Sequence, residues 1–368
     1  MQVQQPATQA DWTIGRLLSW TTDYLRKNGI DEPRLATEVL LAHAAGCRRI
    51  ELYTRFEGRL TDEQTSRFRE WVRRAAAQEP IAYLVGQREF FSLPFTVTPD
   101  VLIPRPETES LVERAVDHCT QAGLQAPKIL DVGTGSGCIV VSLLTQMRQA
   151  VAVGSQVSEA ALAVARTNAA RHGVADRVTF VQADRLAIPA ECIPGGVALT
   201  PVNKRDALTP PASRRAGLSQ GERGNAPTPP ASRQTGLSQG ESREALTPSL
   251  SLRERGFDLL VCNPPYIPAG GVGGLAACIR DFEPHSALTD GADGLSFYRS
   301  VAAEAPRLLA ASGVVIMEVG DGQAGDAIAT MLASGAWTHV ATLKDRVVGK
   351  ERVIVLRVTP RTTGRTTG

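Results

Sequence analysis

Near its start the chain places apolar residues at helical spacing; further on it places them in short continuous runs. Leu17, Leu18, Thr21, Tyr24 and Leu25 repeat as one face of a helix. Pro33 near a start and Gly46 just past an end punctuate a second helix, with Leu35, Val39 and Leu40 expected inward. Thr61 and Gln64 form a capping box for a third, which carries Phe68, Trp71, Val72 and Ala75 and is stopped by Pro80. Residues 11–87 therefore read as an N-terminal helical domain. Residues 88–109 read as a linker, and alternation over 88–101 predicts a β-hairpin within it.

The apolar runs that follow predict strands over Lys128–Val132, Ala150–Gly154, Arg177–Gln182, Phe257–Asn263, Gly313–Val319, Val340–Lys344 and Arg352–Val358. Helical patterns alternate with most of them, at Cys138–Met147, Ser158–Arg171, Leu295–Leu309 and Gln323–Ala333. Strand–helix alternation implies a doubly wound, mainly parallel α/β sheet over residues 110–359. Ligands of such sheets sit at the carboxyl ends of the strands.

One stretch breaks the pattern. Residues 190–255 are rich in Pro, Ser, Gly and Arg and repeat themselves, with Thr209–Arg214 recurring as Thr228–Arg233 and Gly217–Glu222 as Gly236–Glu241. No repeat has the apolar residues to bury a face, so the segment reads as a low-complexity insertion into a surface loop. Lengthening a loop about sixfold costs only about 1.6 kcal/mol of closure entropy. Residues 1–10 and 360–368 read as disordered ends.

Charge and composition narrow the function. The net charge is +2, and residues 190–255 hold nine Lys/Arg against six Asp/Glu, which leaves the rest of the chain at −1. A protein gripping many phosphates would show a basic excess, so direct nucleic-acid binding is not expected. The six cysteines lie at 47, 119, 138, 192, 262 and 278 with no Cys-x-x-Cys pair, so neither a metal site nor a disulfide framework is expected. No secretory signal and no apolar run of membrane-spanning length is seen, and the expectation is a cytoplasmic protein away from membranes.

Two turns supply the candidate chemistry. Asp131-Val132-Gly133-Thr134-Gly135-Ser136-Gly137 leaves a predicted strand and opens a helix. Its glycines permit positive φ and close approach of a ligand to the backbone. The spacing is Gly-x-Gly-x-Gly, not the dinucleotide fingerprint, and Asp131 at the strand end would repel a phosphate. The second turn, Asn263-Pro264-Pro265-Tyr266, follows the strand Phe257–Cys262. It suits a planar, uncharged nitrogen whose lone pair is delocalised. The Asn263 side-chain oxygen can accept one N–H proton, the Pro264 carbonyl the other, and Tyr266 offers a flat face.

With Ile103–Glu109 ahead of them, these turns resemble those of the release-factor glutamine N5-methyltransferases (the PrmC/HemK-like family). Glu79–Gly86, Phe90–Glu109 and Arg280-Asp281-Phe282-Glu283-Pro284 share the likeness, which runs from about Asp11 to Val358 apart from the insertion. The resemblance implies an S-adenosylmethionine-dependent methyltransferase (Rossmann-like) fold behind a helical bundle that helps dock the substrate. It implies methylation of the glutamine in the Gly-Gly-Gln loop of peptide chain release factors. By the same likeness Asn263, Pro264, Pro265 and Tyr266 hold the glutamine, with Asn263, Pro264 and Tyr266 as the catalytic set. Asp131, Gly133, Thr134, Gly135, Ser136, Gly137, Gln156, Asp184, Arg185 and Asn263 are then expected around S-adenosylmethionine, with no metal. Arg105, Glu107 and Glu109 either shape the substrate pocket or form a structural ion-pair cluster.

Gln156 departs from the family pattern, which carries an acidic residue there for the ribose hydroxyls. A neutral acceptor bonds about half as strongly as a charged one. Three other readings stay open at this stage: an adenine-N6 methyltransferase, whose acceptor has the same planar geometry; a binding protein with a weakened cofactor site; and an NAD-dependent oxidoreductase, disfavoured by the glycine spacing.

Overall fold

The computed structural model describes residues 12–194, 256–346 and 349–359. The expectations for residues 1–10, for 360–368 and for most of the insertion lie outside the described residues.

The N-terminal bundle comprises α1 (Ile14–Lys27), α2 (Pro33–Ala45), α3 (Glu51–Thr54), α4 (Asp62–Ala76) and α5 (Ile81–Val85). The Thr61–Gln64 capping box forms as read, Pro33 opens α2, and Gly46 closes it in the left-handed region at φ 65°. Leu18, Leu25, Leu40, Leu41, Leu52 and Phe68 make its core. The inward face of α2 differs from expectation. Leu35 and Val39 are only half-buried, and Ala36, Leu40, Leu41 and Ala44 face the core. Ala36, Leu40 and Ala44 recur every four residues as one buried face, which leaves Leu35 and Val39 beside it at the rim.

The linker hairpin pairs β1 (Gln87–Phe90) with β2 (Leu93–Thr96) across Phe91 and Ser92, both at positive φ, as two-residue hairpins require. Asn168, fully buried on α8 (Glu159–Arg171), accepts from Thr96 N at 2.7 Å and donates to Thr96 O at 3.0 Å and Ser136 O at 2.9 Å. One side chain thus ties the hairpin to the glycine turn.

The second domain adds β3 (Lys128–Val132), β4 (Val151–Gln156), β5 (Val178–Gln182), β6 (Phe257–Cys262), β7 (Leu309–Glu318), β8 (Trp337–Lys344) and β9 (Glu351–Val358) in the order β5-β4-β3-β6-β7-β9-β8, with the short helices α9 (Ala277–Arg280) and α10 (His285–Leu288) between β6 and β7. Only β9 runs antiparallel to its neighbours. Leu130, Leu260, Val315 and Ile354 face one layer, with α11 (Ser296–Leu308) and α12 (Ala324–Leu332). Ile129, Leu259, Val314 and Val353 face the other, with α6 (Glu109–Gln121) and α7 (Cys138–Gln146). Strands buried on both faces read as continuous apolar runs, which is why their positions were legible. β7 and β8 start earlier than expected, at Leu309 and Trp337. β8 is an edge strand whose mostly exposed residues give little periodicity.

The insertion also begins later than its composition suggests. Ala190–Cys192 form a helical turn, Cys192 is buried in the core, and Gly256 N donates to Pro194 O at 2.8 Å. Residues 190–194 therefore belong to the fold, and Pro194 and Gly256 lie side by side.

Candidate active site

Parallel pairing brings the two turns together. Asp131 on β3 pairs with Val261 on β6, so Gly133 and Asn263, each two residues further on, emerge side by side. Neighbouring strands lie about 4.8 Å apart. On the other side Gln156 pairs with Gln182, and Asp184 follows two residues later. All of these residues except Asp131, Val261 and Gln182 face one cavity of about 460 Å³ at the carboxyl edge of the sheet. Its lining also includes Thr134, Gly135, Ser136, Arg185, Pro265, Arg105, Thr108 and Asp290. A cavity of this size is typical of a small-molecule site.

The three glycines divide by role. A Cβ on Gly133 would meet nothing and one on Gly135 only a carbonyl at 3.9 Å, so both leave open space. Gly137 instead caps α7 at φ 79°, and a Cβ there would press on Ala165 of α8 at 3.3 Å. It packs helix against helix and does not line the cavity. Asp131 likewise lies beneath the turn, fully buried, accepting the Thr134 hydroxyl at 2.6 Å. Burial pushes its carboxyl up to about 7 against the opposing pull of that bond. Asp131 Oδ1 and Ser136 Oγ are buried without a hydrogen-bond partner.

The Asn263–Tyr266 turn is braced from several directions. Asn263 Nδ2 donates to Thr108 Oγ1 at 3.1 Å, and Thr108 donates to Glu318 at 2.5 Å. Tyr266 donates its hydroxyl to the same carboxylate at 3.2 Å, and Gln323 holds Tyr266 O at 3.1 Å. Tyr266 packs against the core and does not line the cavity, so it offers no flat face there; neither does Pro264 line it. The aromatic ring serves as a strut because its hydroxyl has a buried acceptor to reach.

Arg185, at φ 51°, is anchored by a 2.7 Å bond to Ser300 on α11. Arg105 lines the cavity and pairs at 2.5 Å with buried Glu283, which also accepts from Ile103 N at 3.1 Å. Glu109 lies elsewhere, accepting from Phe91 N in the hairpin turn at 2.9 Å, and Glu107 does not line the cavity. Sequence reasoning gave Thr108 and Glu318 no role. The available signal was a lone glutamate at the end of the apolar run Val314–Met317, where a buried charge requires a partner.

The PrmC N-terminal domain family matches residues 16–86, and a methyltransferase domain family matches residues 125–194. A release factor glutamine methyltransferase from Rhodopirellula baltica is 32% identical over 96% of this chain and 99% of its own length. One from Geobacter sulfurreducens is 34% identical over 92% and 96%. At more than 30% identity over nearly the full length of both chains, these relatives show that this protein belongs to the release factor glutamine methyltransferase family.

Proposed function

We propose that the protein methylates the side-chain nitrogen of the glutamine in the Gly-Gly-Gln loop of peptide chain release factors, with S-adenosylmethionine as donor. The observation that carries the reading is the shared cavity, in which the Asn263 carboxamide adjoins the open glycines on neighbouring parallel strands. The residues fit the donor. Gly133 and Gly135 leave a cradle that a Cβ would fill, and the Ser136 hydroxyl, buried at the cavity wall without a hydrogen-bond partner, suits an ammonium group near the turn. Gly133–Ser136, Gln156, Asp184 and Arg185 would hold it. Asp131 acts beneath the turn and Gly137 behind it.

S-adenosylmethionine supplies an electrophilic methyl group on a sulfonium. Asn263 Oδ1 accepts one N–H of the substrate amide and fixes its plane. With the donor bound, the glutamine nitrogen held by Asn263 would take up the methyl group at the expense of the carbon–sulfur bond and would give up one proton to water. No general base is required before transfer, so these residues accelerate the step by orientation and exclusion of water. A release-factor substrate supports a cytoplasmic location for the enzyme. Among the described residues no helix is long and apolar enough to cross a membrane.

The test is methyl transfer from labelled S-adenosylmethionine to purified release factor, beside a duplex DNA arm. Label on the release-factor glutamine and none on DNA supports the reading. Label on adenine alone overturns it.

A further inference from the structure

We infer that Glu318 and Thr108 form a relay that fixes which way round the Asn263 carboxamide sits, and so act as positioning residues for the transfer. The inference deepens the methyltransferase reading and rests on it for its kinetic consequence.

Three elements meet in the relay. Thr108 precedes α6, Glu318 ends β7, and Asn263 follows β6. Glu318 is 2% exposed and lies behind the cavity wall, so its carboxylate draws its partners from the protein, and Thr108, also 2% exposed, borders the cavity between it and Asn263. An ionised carboxylate only accepts, and a hydroxyl has one proton. Thr108 gives that proton to Glu318 Oε2 at 2.5 Å. Its remaining capacity is to accept, and Asn263 Nδ2 donates to it at 3.1 Å. The amide oxygen is thereby left for the cavity. The reversed amide would set Oδ1 against a lone pair of Thr108 and turn an N–H donor toward the substrate's own N–H groups. Tyr266 completes the set by donating to Glu318 Oε1 at 3.2 Å.

The direction of the relay depends on Glu318 being ionised. Burial pushes its carboxyl up to about 7, opposed by the Thr108 and Tyr266 hydroxyls and by Arg352, with Glu107 adding to the rise. Cys138, Cys262 and Tyr298 also face it, and all three stay protonated because burial raises them. Below about pH 7 a protonated Glu318 can donate to Thr108. The Thr108 proton is then free to bond Asn263 Oδ1, and the amide can reverse. Transfer should fall as pH falls through that range.

The test uses the full chain labelled with ¹⁵N-asparagine, the Asn263 side-chain signal being identified by its loss in Asn263→Asp. In the wild type that signal should titrate with a midpoint near 7, and in Glu318→Gln it should not. In single turnovers on release factor, Thr108→Val should slow transfer at least tenfold at unchanged KM for S-adenosylmethionine. Thr108→Ser should recover most of the rate. An Asn263 signal that titrates equally in Glu318→Gln, or a Thr108→Val enzyme at full rate, overturns the relay. If the wild type labels no release factor, the functional reading falls, and the amide titration alone decides the relay.

Discussion

The two turns that meet in the cavity are held in opposite ways. The glycine turn is braced from within its own neighbourhood. Gly133 N and Thr134 N both donate to Ser155 O at 2.9 Å on the adjacent strand, and Thr134 bonds Asp131 three residues back. The Asn263–Tyr266 turn is braced from far along the chain, by Thr108, Glu318 and Gln323. Each turn rests on a buried carboxyl pushed up to about 7 that accepts a threonine hydroxyl. In one case that threonine is 3 residues away, in the other 210. The donor-side turn can therefore form with its strand pair. The acceptor-side turn is complete only when β6, β7, α6 and α12 are assembled.

The most severe break in this comparison is Asn263→Ala. It removes the acceptor from one turn and leaves the other intact. Methyl transfer to release factor should fall at least about 100-fold, the scale seen when a single positioned polar group is removed from a reacting centre. Affinity for S-adenosylmethionine, read by calorimetry, should change little. Loss of both together would mean the turns do not act separately.

A pair of glycine substitutions sharpens the contrast in support. A Cβ on Gly294, at φ 79°, would fall 2.3 Å from Tyr266 O. Gly294→Ala should lower stability by about 3 kcal/mol and slow transfer, because the clash and the left-handed strain add. Gly133→Ala meets no atom at φ 74°. It should cost only about 1 kcal/mol, from strain alone, and weaken the donor site instead. Urea unfolding beside calorimetry separates the two, and equal stability losses would contradict the difference in bracing.

The same contrast sets what could be read from the chain. The glycine turn, its strand and Asp131 are legible because their partners are few and come from the next strand and helix along the chain, Ser155 on β4 and Asn168 on α8, besides Thr134 only 3 residues from Asp131. The Asn-Pro-Pro-Tyr turn was legible as a motif, but its supports were not. Thr108 sat unremarked inside Ile103–Glu109, and Glu318 looked like the end of a strand. Tyr266 was expected to face the ligand, since nothing local signals that its hydroxyl turns inward to Glu318. Glu109 was grouped with Arg105 by proximity. A helix start sends their side chains apart, one to the hairpin and one to Glu283. The sheet order beyond β6 depends on which strands pair across long connections, and periodicity does not encode that.

A smaller effect is expected at the donor-side rim. Gln156 ends β4, lines the cavity and spends its amide oxygen on Val157 N at 2.9 Å. That local bond competes with any ribose hydroxyl for the same acceptor. A carboxylate offers a second oxygen and a full charge. Gln156→Asp should tighten S-adenosylmethionine about tenfold, or about 1.4 kcal/mol. Unchanged or weaker binding would show that the ribose does not reach this strand end.

The least effect on the site should come from the largest change in sequence. The chain departs at Pro194 and returns at Gly256, and the two are joined by a 2.8 Å backbone bond, so a short link can close the gap without moving β6. Cys192 before the gap and Phe257 after it are both buried in one core cluster, which fixes the two ends independently of what lies between them. Replacing residues 195–255 with a few Gly/Ser residues should leave S-adenosylmethionine affinity within about twofold and the transfer rate similar, by the weak dependence of closure on loop length. The variant separates insertion from architecture. If it fails to fold, or folds and loses the cofactor, the inserted residues act in the support of the donor-side turn, and that turn is no longer braced by its neighbourhood alone.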